Sequence, residues 1–220
     1  MLKPSLEEVK ALAKQYNTIP VFYEFSADNQ TPLNIYTALS KDSRNSFILE
    51  SVSNGVQWDR YSFVGVSPKE EICITGNTAE IRTGDKIETK EVEQPIAFLK
   101  ERMAAYRSPV LVGAPNFTGG LIGYFGYDTV RYMEKKLTHV PEDDIHMPDC
   151  HLFLYEELLA YDHLTSNGIV ILNLHTDGDL GAQYAAAQWR AEELADIVRH
   201  YNPQPQIRQH HGESVVRSNL

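Results

Sequence analysis

The sequence predicts an α+β fold in which mostly antiparallel sheets are flanked by helices. Strand-like segments number about ten and helical segments about four or five, and most of the strand-like segments follow one another directly. Turn signals such as Asn54-Gly55 and Gly84-Asp85 separate them, as expected for hairpins. Between residues 80 and 90, charged residues alternate with isoleucine, which is typical of an antiparallel strand with one face in water.

The N-terminal segment carries the start signals of a helix. Ser5 is followed three residues later by Glu8 at the head of an amphipathic run, so residues 5–16 are predicted to be helical. Residues 19–25 are rich in aromatic and β-branched side chains and predict a strand. A proline in the first turn then favours a short helix over residues 32–39.

Two apolar runs, Phe47–Val52 and Tyr61–Val66, lie on either side of a polar connection. They predict two adjacent strands, and the nearly continuous apolar character of the first suits a strand covered on both faces. Glu50 interrupts that run. A buried carboxylate requires a cation or hydrogen-bond donors, so we expect Glu50 inside the protein and facing Arg60, or both facing a bound zwitterion.

Strand register limits how Glu50 and Arg60 can meet. A two-residue hairpin at Asn54-Gly55 would place the two side chains on opposite faces, because each one-residue step switches faces. Convergence therefore requires an irregular loop between residues 52 and 59, and we predict that loop. A structural Glu50–Arg60 pair without a ligand and a shared ligand site both stay open at this point.

The middle of the chain predicts a strand over residues 71–75, two further strands in a meander, and a helix beginning at Pro95. A glycine-rich apolar segment, residues 119–126, follows. It lacks the Lys-Ser/Thr of a phosphate loop and the G-x-G-x-x-G spacing of a dinucleotide site, so we interpret its glycines as structural. Asp128 is positioned to cap the short helix that follows.

The last third predicts a hairpin of residues 152–161 and 168–175, then the longest helix over residues 183–201. That helix carries a small-residue and aliphatic stripe of Ala187, Ala191, Leu194 and Val198. Residues 203–220 have no periodicity and no apolar face, and are interpreted as a linker.

Composition excludes several classes of function. A formal net charge of −10 argues against a nucleic-acid or anionic-membrane partner. Cys73 and Cys150 stand alone, as in a reducing compartment, and no run approaches the roughly 18 apolar residues of a membrane span. The polar N-terminus is not a secretory signal, so we expect a cytoplasmic protein. His146, Asp149 and His151 lie close together, but no second cluster completes a metal-ligand set.

Three segments carry a family resemblance, in the same order as in the family. They are Ile48-Leu-Glu-Ser51, Arg60-Tyr-Ser-Phe-Val-Gly65, and Gly119-Gly-Leu-Ile-Gly-Tyr-Phe-Gly-Tyr-Asp128 with Val130-Arg-Tyr132. Together they resemble the N-terminal half of anthranilate synthase component I, and the similarity covers most of residues 15 to 200. The glycine segment also resembles the sister enzyme, aminodeoxychorismate synthase component I.

The resemblance implies a layered αββα sandwich and a place in tryptophan biosynthesis. Such enzymes convert chorismate and ammonia to anthranilate and pyruvate with Mg²⁺, and a glutamine amidotransferase subunit delivers the ammonia. L-tryptophan inhibits them at a site away from chorismate. Carried over position by position, the resemblance implies that Leu49, Glu50, Ser51 and Arg60 belong to that inhibitor site.

The resemblance also implies what lies outside this sequence. The chorismate and Mg²⁺ residues of the family belong to its C-terminal half, so no catalytic residue, metal site or cofactor is expected here. We expect a regulatory domain over residues 1–202 and a linker over residues 203–220, inactive without the chorismate-binding half. The alternatives are the corresponding part of aminodeoxychorismate synthase, or a scaffold domain whose Glu50–Arg60 pair is structural.

Overall fold

The computed structural model describes residues 1–50, 60–134, 136–137 and 146–203. Within these ranges it contains ten strands, four α-helices and one 3₁₀ helix. The α-helices are α1 (Leu6–Leu12), α2 (Pro32–Leu39), α3 (Pro95–Ala104) and α4 (Leu180–Arg199), and the 3₁₀ helix is Tyr127–Tyr132. The strands are β1 (Thr18–Ser26), β2 (Ser46–Leu49), β3 (Tyr61–Val66), β4 (Glu70–Thr75), β5 (Thr78–Thr83), β6 (Lys86–Glu91), β7 (Gly120–Phe125), β8 (Cys150–Tyr155), β9 (Glu157–Asp162) and β10 (Asn167–His175).

The strands form two five-stranded sheets. The first has the order β1-β10-β9-β3-β2 and the second the order β6-β5-β4-β8-β7. Each pair of neighbouring strands is antiparallel. The predicted α+β class with mostly antiparallel sheets is therefore confirmed.

Side-chain clusters define the layers of the fold. Helices α1, α2 and α4 cover one face of the first sheet, around core residues that include Val9, Ile35 and Ala191. A second cluster, which includes Leu158 and Ile171, lies on the opposite face of that sheet and reaches side chains of the second sheet. A third cluster joins the far face of the second sheet to α3. The resulting order is helices, sheet, sheet, helix, which is the αββα arrangement.

Several local signals act as the sequence predicts. Ser5 and Glu8 form the capping box of α1, with Glu8 Oε2 accepting from the Ser5 amide at 2.8 Å. Thr31 caps α2 through its hydroxyl, which accepts from the Asn34 amide at 3.1 Å. The predicted stripe of α4 is buried as expected. Its residues are Ala187, Ala191, Leu194 and Val198.

The predicted strand over residues 152–161 is two strands that belong to different sheets. Its first part is β8 of the second sheet and its second part is β9 of the first sheet, with Glu156 between them. Only β9 pairs with β10 in the predicted hairpin. The error has a physical cause, because a nearly continuous apolar run does not show where a chain crosses from one sheet to another.

Strand β2 is an edge strand and is only partly covered, so the expectation that both its faces are covered is wrong. Its register places Leu49 opposite Phe63. A two-residue hairpin would have placed Leu49 opposite Arg60, so that hairpin is excluded. The predicted irregular loop over residues 52–59 lies outside the described residues.

The glycine-rich segment forms β7, which pairs along β8. Asp128 does not cap the helix that follows, because the N-cap position is Gly126 and has no side-chain hydrogen bond. Asp128 instead accepts from Arg131 Nη2 at 2.8 Å. The predicted linker lies outside the described residues from residue 204 onward. None of the helices in the described ranges is both long and apolar enough to span a membrane.

Candidate functional site

The predicted site lies where the paired strands β2 and β3 end. Leu49 is the last residue of β2, Glu50 follows it, and Arg60 immediately precedes β3. Leu49 is 48% exposed and Glu50 is also exposed. Ser51 lies outside the described residues. The expectation that the Glu50 carboxylate is held inside the protein is therefore wrong for this chain.

The partner of Arg60 is Asp162, a contact that the sequence did not predict. Arg60 Nε donates to Asp162 Oδ1 at 2.9 Å, and Arg60 Nη2 donates to Asp162 Oδ2 at 2.6 Å. The Asp162 side chain is 2% exposed and that of Arg60 is 43% exposed. No ion pair joins Glu50 to Arg60 among the described residues, so the predicted structural pair of these two is also wrong.

The turn after β9 holds the Asp162 carboxylate from the other side. Its Oδ1 accepts from the Leu164 amide and its Oδ2 accepts from the Thr165 hydroxyl, both at 3.0 Å. Burial by itself would raise the pKa of Asp162, but the hydrogen bonds from Arg60, Leu164 and Thr165 outweigh it and hold the pKa below its usual value. The carboxylate is thus kept ionised.

Neighbouring groups fix the position of Arg60. The Arg60 carbonyl accepts from the His163 amide at 2.9 Å, and the guanidinium lies 5.0 Å from the centre of the Tyr61 ring. The hydrogen bond to Asp162 raises the pKa of Arg60 further. Ser62 Oγ and His163 Nε2, 2.8 Å apart, tie the same two segments together. The arrangement presents a fixed, charged guanidinium at the surface, which is suited to binding a carboxylate.

One signal in the sequence pointed towards Asp162. It is the first charged residue after an apolar run, and a carboxylate in that position requires a partner. The identity of the partner depends on the pairing of β3 with β9, in which Tyr61 faces Asp162. The hydrogen bonds between Arg60 and Asp162 thus join residues 102 positions apart and have no local signature.

The described residues do not fit a Mg²⁺ site. No group of three or more His, Cys, Asp or Glu side chains comes together within the described ranges. Of the residues considered for a metal, His151 Nε2 lies 2.7 Å from Glu71 Oε1, and Asp149 accepts from the Gly76 amide and the Tyr132 hydroxyl. A cavity of about 720 Å³ lies along β1, away from Leu49, Glu50 and Arg60.

Comparison with known proteins identifies the class to which the chain belongs. The family model described as chorismate binding enzyme matches residues 52–218, which is most of the chain. The chain belongs to this family of chorismate-binding enzymes.

Curated relatives give a narrower likeness, which confirms the resemblance seen in the three motifs. Anthranilate synthase component 1 of Acetivibrio thermocellus is 38% identical over 187 residues, covering 85% of this chain and 37% of the relative. The protein of the same name from Pseudomonas aeruginosa is 37% identical over 196 residues, covering 88% of this chain and 39% of the relative. Anthranilate synthase alpha subunit 2, chloroplastic, of Arabidopsis thaliana is 34% identical over 208 residues, covering 88% of this chain and 34% of the relative.

The chain thus spans less than two-fifths of the length of these relatives. Among solved structures, anthranilate synthase component I from Streptococcus pneumoniae TIGR4 is 26% identical with a TM-score of 0.48. The match covers 80% of this chain and 36% of that chain.

Proposed function

We propose that this chain is the N-terminal, tryptophan-sensing part of an anthranilate synthase component I. The observation that supports it best is the placement of Leu49, Glu50 and Arg60 at the same end of the paired strands β2 and β3. The relatives named anthranilate synthase component 1 supply the pathway.

The chemistry of these residues suits a zwitterionic aromatic amino acid. Tryptophan offers an ammonium, a carboxylate and a flat apolar ring. Glu50 is accessible to an ammonium, Arg60 carries an exposed guanidinium, and Leu49, the residue before Glu50, is half exposed. Ser51 adds a hydroxyl that both donates and accepts. We propose that the C-terminal half of the complete protein supplies the rest of the enclosure, since Leu49 and Glu50 are exposed in this chain.

Catalysis is assigned elsewhere under this proposal. Anthranilate formation from chorismate and ammonia requires Mg²⁺, and the described residues hold no candidate metal group. We propose a regulatory domain over residues 1–202, a linker over residues 203–220 and a separate C-terminal chorismate-binding half; this chain covers 37% and 39% of the length of two relatives. A glutamine amidotransferase subunit is the proposed second partner, and a cytoplasmic location is proposed with it.

A scaffold role is the second candidate, and a specific observation favours it. Arg60 is engaged by a buried structural partner, Asp162, while Glu50 is exposed and unconnected to Arg60. If the pair serves only to join the turn after β9 to the start of β3, no ligand is needed. Under this reading the chain supports a catalytic half without sensing tryptophan.

Calorimetry separates the two candidates. L-tryptophan is titrated into the complete gene product and into Glu50→Gln, with Glu91→Gln on the exposed strand β6 as the matched control. Because Glu50→Gln loses a charge-assisted hydrogen bond, we expect its affinity for tryptophan to fall roughly tenfold to a hundredfold. Anthranilate formation in the absence of tryptophan should be unaltered. Unchanged tryptophan affinity combined with lost catalysis would support the scaffold instead.

A second assay tests the division of labour. The purified 220-residue chain is incubated with chorismate, ammonia and Mg²⁺, and anthranilate is followed by its fluorescence. We expect no product above a protein-free control. Appreciable product would show that this chain contains the catalytic groups itself.

A further inference from the structure

We propose that Arg60 is a two-edged carboxylate anchor: Asp162 fixes one edge of its guanidinium on the protein, and the other edge binds the carboxylate of the ligand. The inference rests on the proposed function and deepens it. It also assigns Asp162 and Thr165 as positioning residues, which act on the ligand through Arg60.

The hydrogen-bond pattern identifies the two edges. A guanidinium presents five N–H groups in a planar fork, and two parallel N–H groups can bind one carboxylate. Asp162 takes the edge formed by Nε and Nη2. In the part of the chain that the structure describes, no carboxylate reaches Nη1 of Arg60, and the side chain is 43% exposed. The edge formed by Nη1 and Nη2 is therefore open to a second carboxylate.

Arg190 in the same chain shows what a fully occupied guanidinium looks like. Its Nε and Nη2 donate to Glu157 at 2.9 and 2.8 Å, in the same geometry as Arg60 with Asp162. Its Nη1 donates to Glu193 at 2.7 Å. Two protein carboxylates thus surround Arg190, whereas the described structure supplies Arg60 with one. Arg60 therefore has capacity for an external anion. Arg102 also meets a single carboxylate, that of Glu70, but its side chain is 23% exposed against 43% for Arg60.

The support around Arg60 orients this open edge in advance. The buried Asp162 is itself held by the Leu164 amide and the Thr165 hydroxyl, and the Tyr61 ring lies beside the guanidinium. An arginine held in this way loses less side-chain freedom when it binds a ligand, so more of the interaction appears as affinity. A free surface arginine would lack this advantage.

The charges around Arg60 define the class of ligand. Asp162 already neutralises one unit of charge, and the charge of Glu24 makes a smaller negative contribution. A free inorganic anion would therefore gain little, because the site as a whole is not strongly positive. A zwitterion is suited to it, since its carboxylate meets the planar edge while its ammonium meets an acidic group such as Glu50. This points to the carboxylate of an α-amino acid.

The test compares two ligands that differ only in the carboxylate. L-tryptophan and tryptamine, which lacks the carboxylate, are titrated calorimetrically into the complete gene product. The variants are Arg60→Lys, Asp162→Asn and Thr165→Val, and Arg190→Lys serves as the matched control. Circular dichroism melts establish that each variant is folded.

We expect Arg60→Lys to weaken tryptophan binding roughly tenfold to a hundredfold, because lysine keeps the charge but loses the fork. Asp162→Asn should give a similar loss. Thr165→Val should give a smaller one, of about tenfold or less, since it removes a single hydrogen bond from the support. Tryptamine affinity should stay unchanged in all of them, and Arg190→Lys should change neither ligand.

Three other outcomes would each contradict a different part of the proposal. Equal weakening of tryptophan and tryptamine in Arg60→Lys would mean that Arg60 acts on the fold and not on the carboxylate. Tryptophan binding that is equally tight in all variants would overturn the anchor while leaving the sensor proposal standing. Absence of tryptophan binding in the unmodified protein would overturn both.

Discussion

Gly123 of β7 lies so close to His151 of β8 that a Cβ atom on the glycine would overlap the carbonyl oxygen of His151. It would also lie 2.9 Å from the Cα of Leu152, the residue with which Gly123 pairs. The two strands therefore approach in a way that only glycine permits at this position. This contact gives Gly123 a structural role, as predicted for the glycines of this segment.

Replacement of Gly123 by alanine should separate β7 from β8 and destabilise the protein. Overpacking against backbone that cannot move costs about 1–3 kcal/mol, and we expect Gly123→Ala at the upper end of that range. Urea denaturation followed by circular dichroism measures the change. Gly76→Asn is the control: nothing lies within 4 Å of the added Cβ, and asparagine tolerates its left-handed conformation. Equal stability losses in the two variants would contradict the steric explanation.

Removal of the Asp162 charge should give a pH-dependent loss of stability. The pKa of this carboxyl is lowered below its ordinary value of 3.8, so its contribution is present above that pH and is lost as the pH falls through the folded-state pKa. Asp162→Asn should cost about 1–3 kcal/mol at pH 7, because Arg60 is partly exposed and the pair is screened on that side.

The same variant supplies its own internal check. The difference in unfolding free energy between the unmodified protein and Asp162→Asn should narrow as the pH falls from 6 to 3. Urea titrations at intervals of one pH unit measure it. A difference that stays constant over this range would show that packing, and not ionisation, determines the effect.

Helix α4 should depend on its N-terminal cap. Asp179 Oδ1 accepts from the amides of Gly181 and Ala182, at 2.8 and 3.2 Å. Loss of such a cap costs about 1 kcal/mol, so Asp179→Ala should lower the melting temperature measured by calorimetry. The exposed neighbour Asp177 has no part in the cap, and Asp177→Ala should leave the melting temperature nearly unchanged. A reversed order of the two variants would be incompatible with capping.

The two thiols should differ in reactivity. Cys150 is 1% exposed, and burial raises the pKa of its thiol to about 11, whereas Cys73 is only partly buried. Because the thiolate is the reactive form, Cys73 should react with Ellman's reagent first at pH 8 and Cys150 only on unfolding. The unmodified protein is compared with Cys73→Ser. Rapid labelling of Cys73→Ser under native conditions would contradict the burial of Cys150.

Local chemistry explains why so many elements could be predicted. The cap of α1 depends on Ser5 and Glu8, three residues apart, and the buried stripe of α4 repeats at helical spacing. Such interactions lie within one or two turns, so the sequence displays them directly. Asp128 shows that even such a local prediction can be wrong. The expected cap was replaced by a side-chain pair with Arg131, because the helix begins at a different residue.

Features that depend on contacts between distant parts of the chain could not be predicted from the sequence in the same way. Residues 152–161 form one apolar run, and the division at Glu156 depends on which sheet each half joins. Glu50 lies in an apolar context along the chain but directly after an edge strand in space, so its expected burial was wrong. In both cases the local pattern is compatible with more than one strand order.

The amino-acid sequence alone determined the class of fold, the start of most elements and the three motifs that resemble anthranilate synthase component I. Only the tertiary structure decided that Arg60 meets Asp162, and that Glu50 stands at an open edge. Capping and periodicity are interactions between near neighbours in the chain. The Arg60–Asp162 pair depends on the order and register of β3 and β9, which arise from the packing of both sheets together.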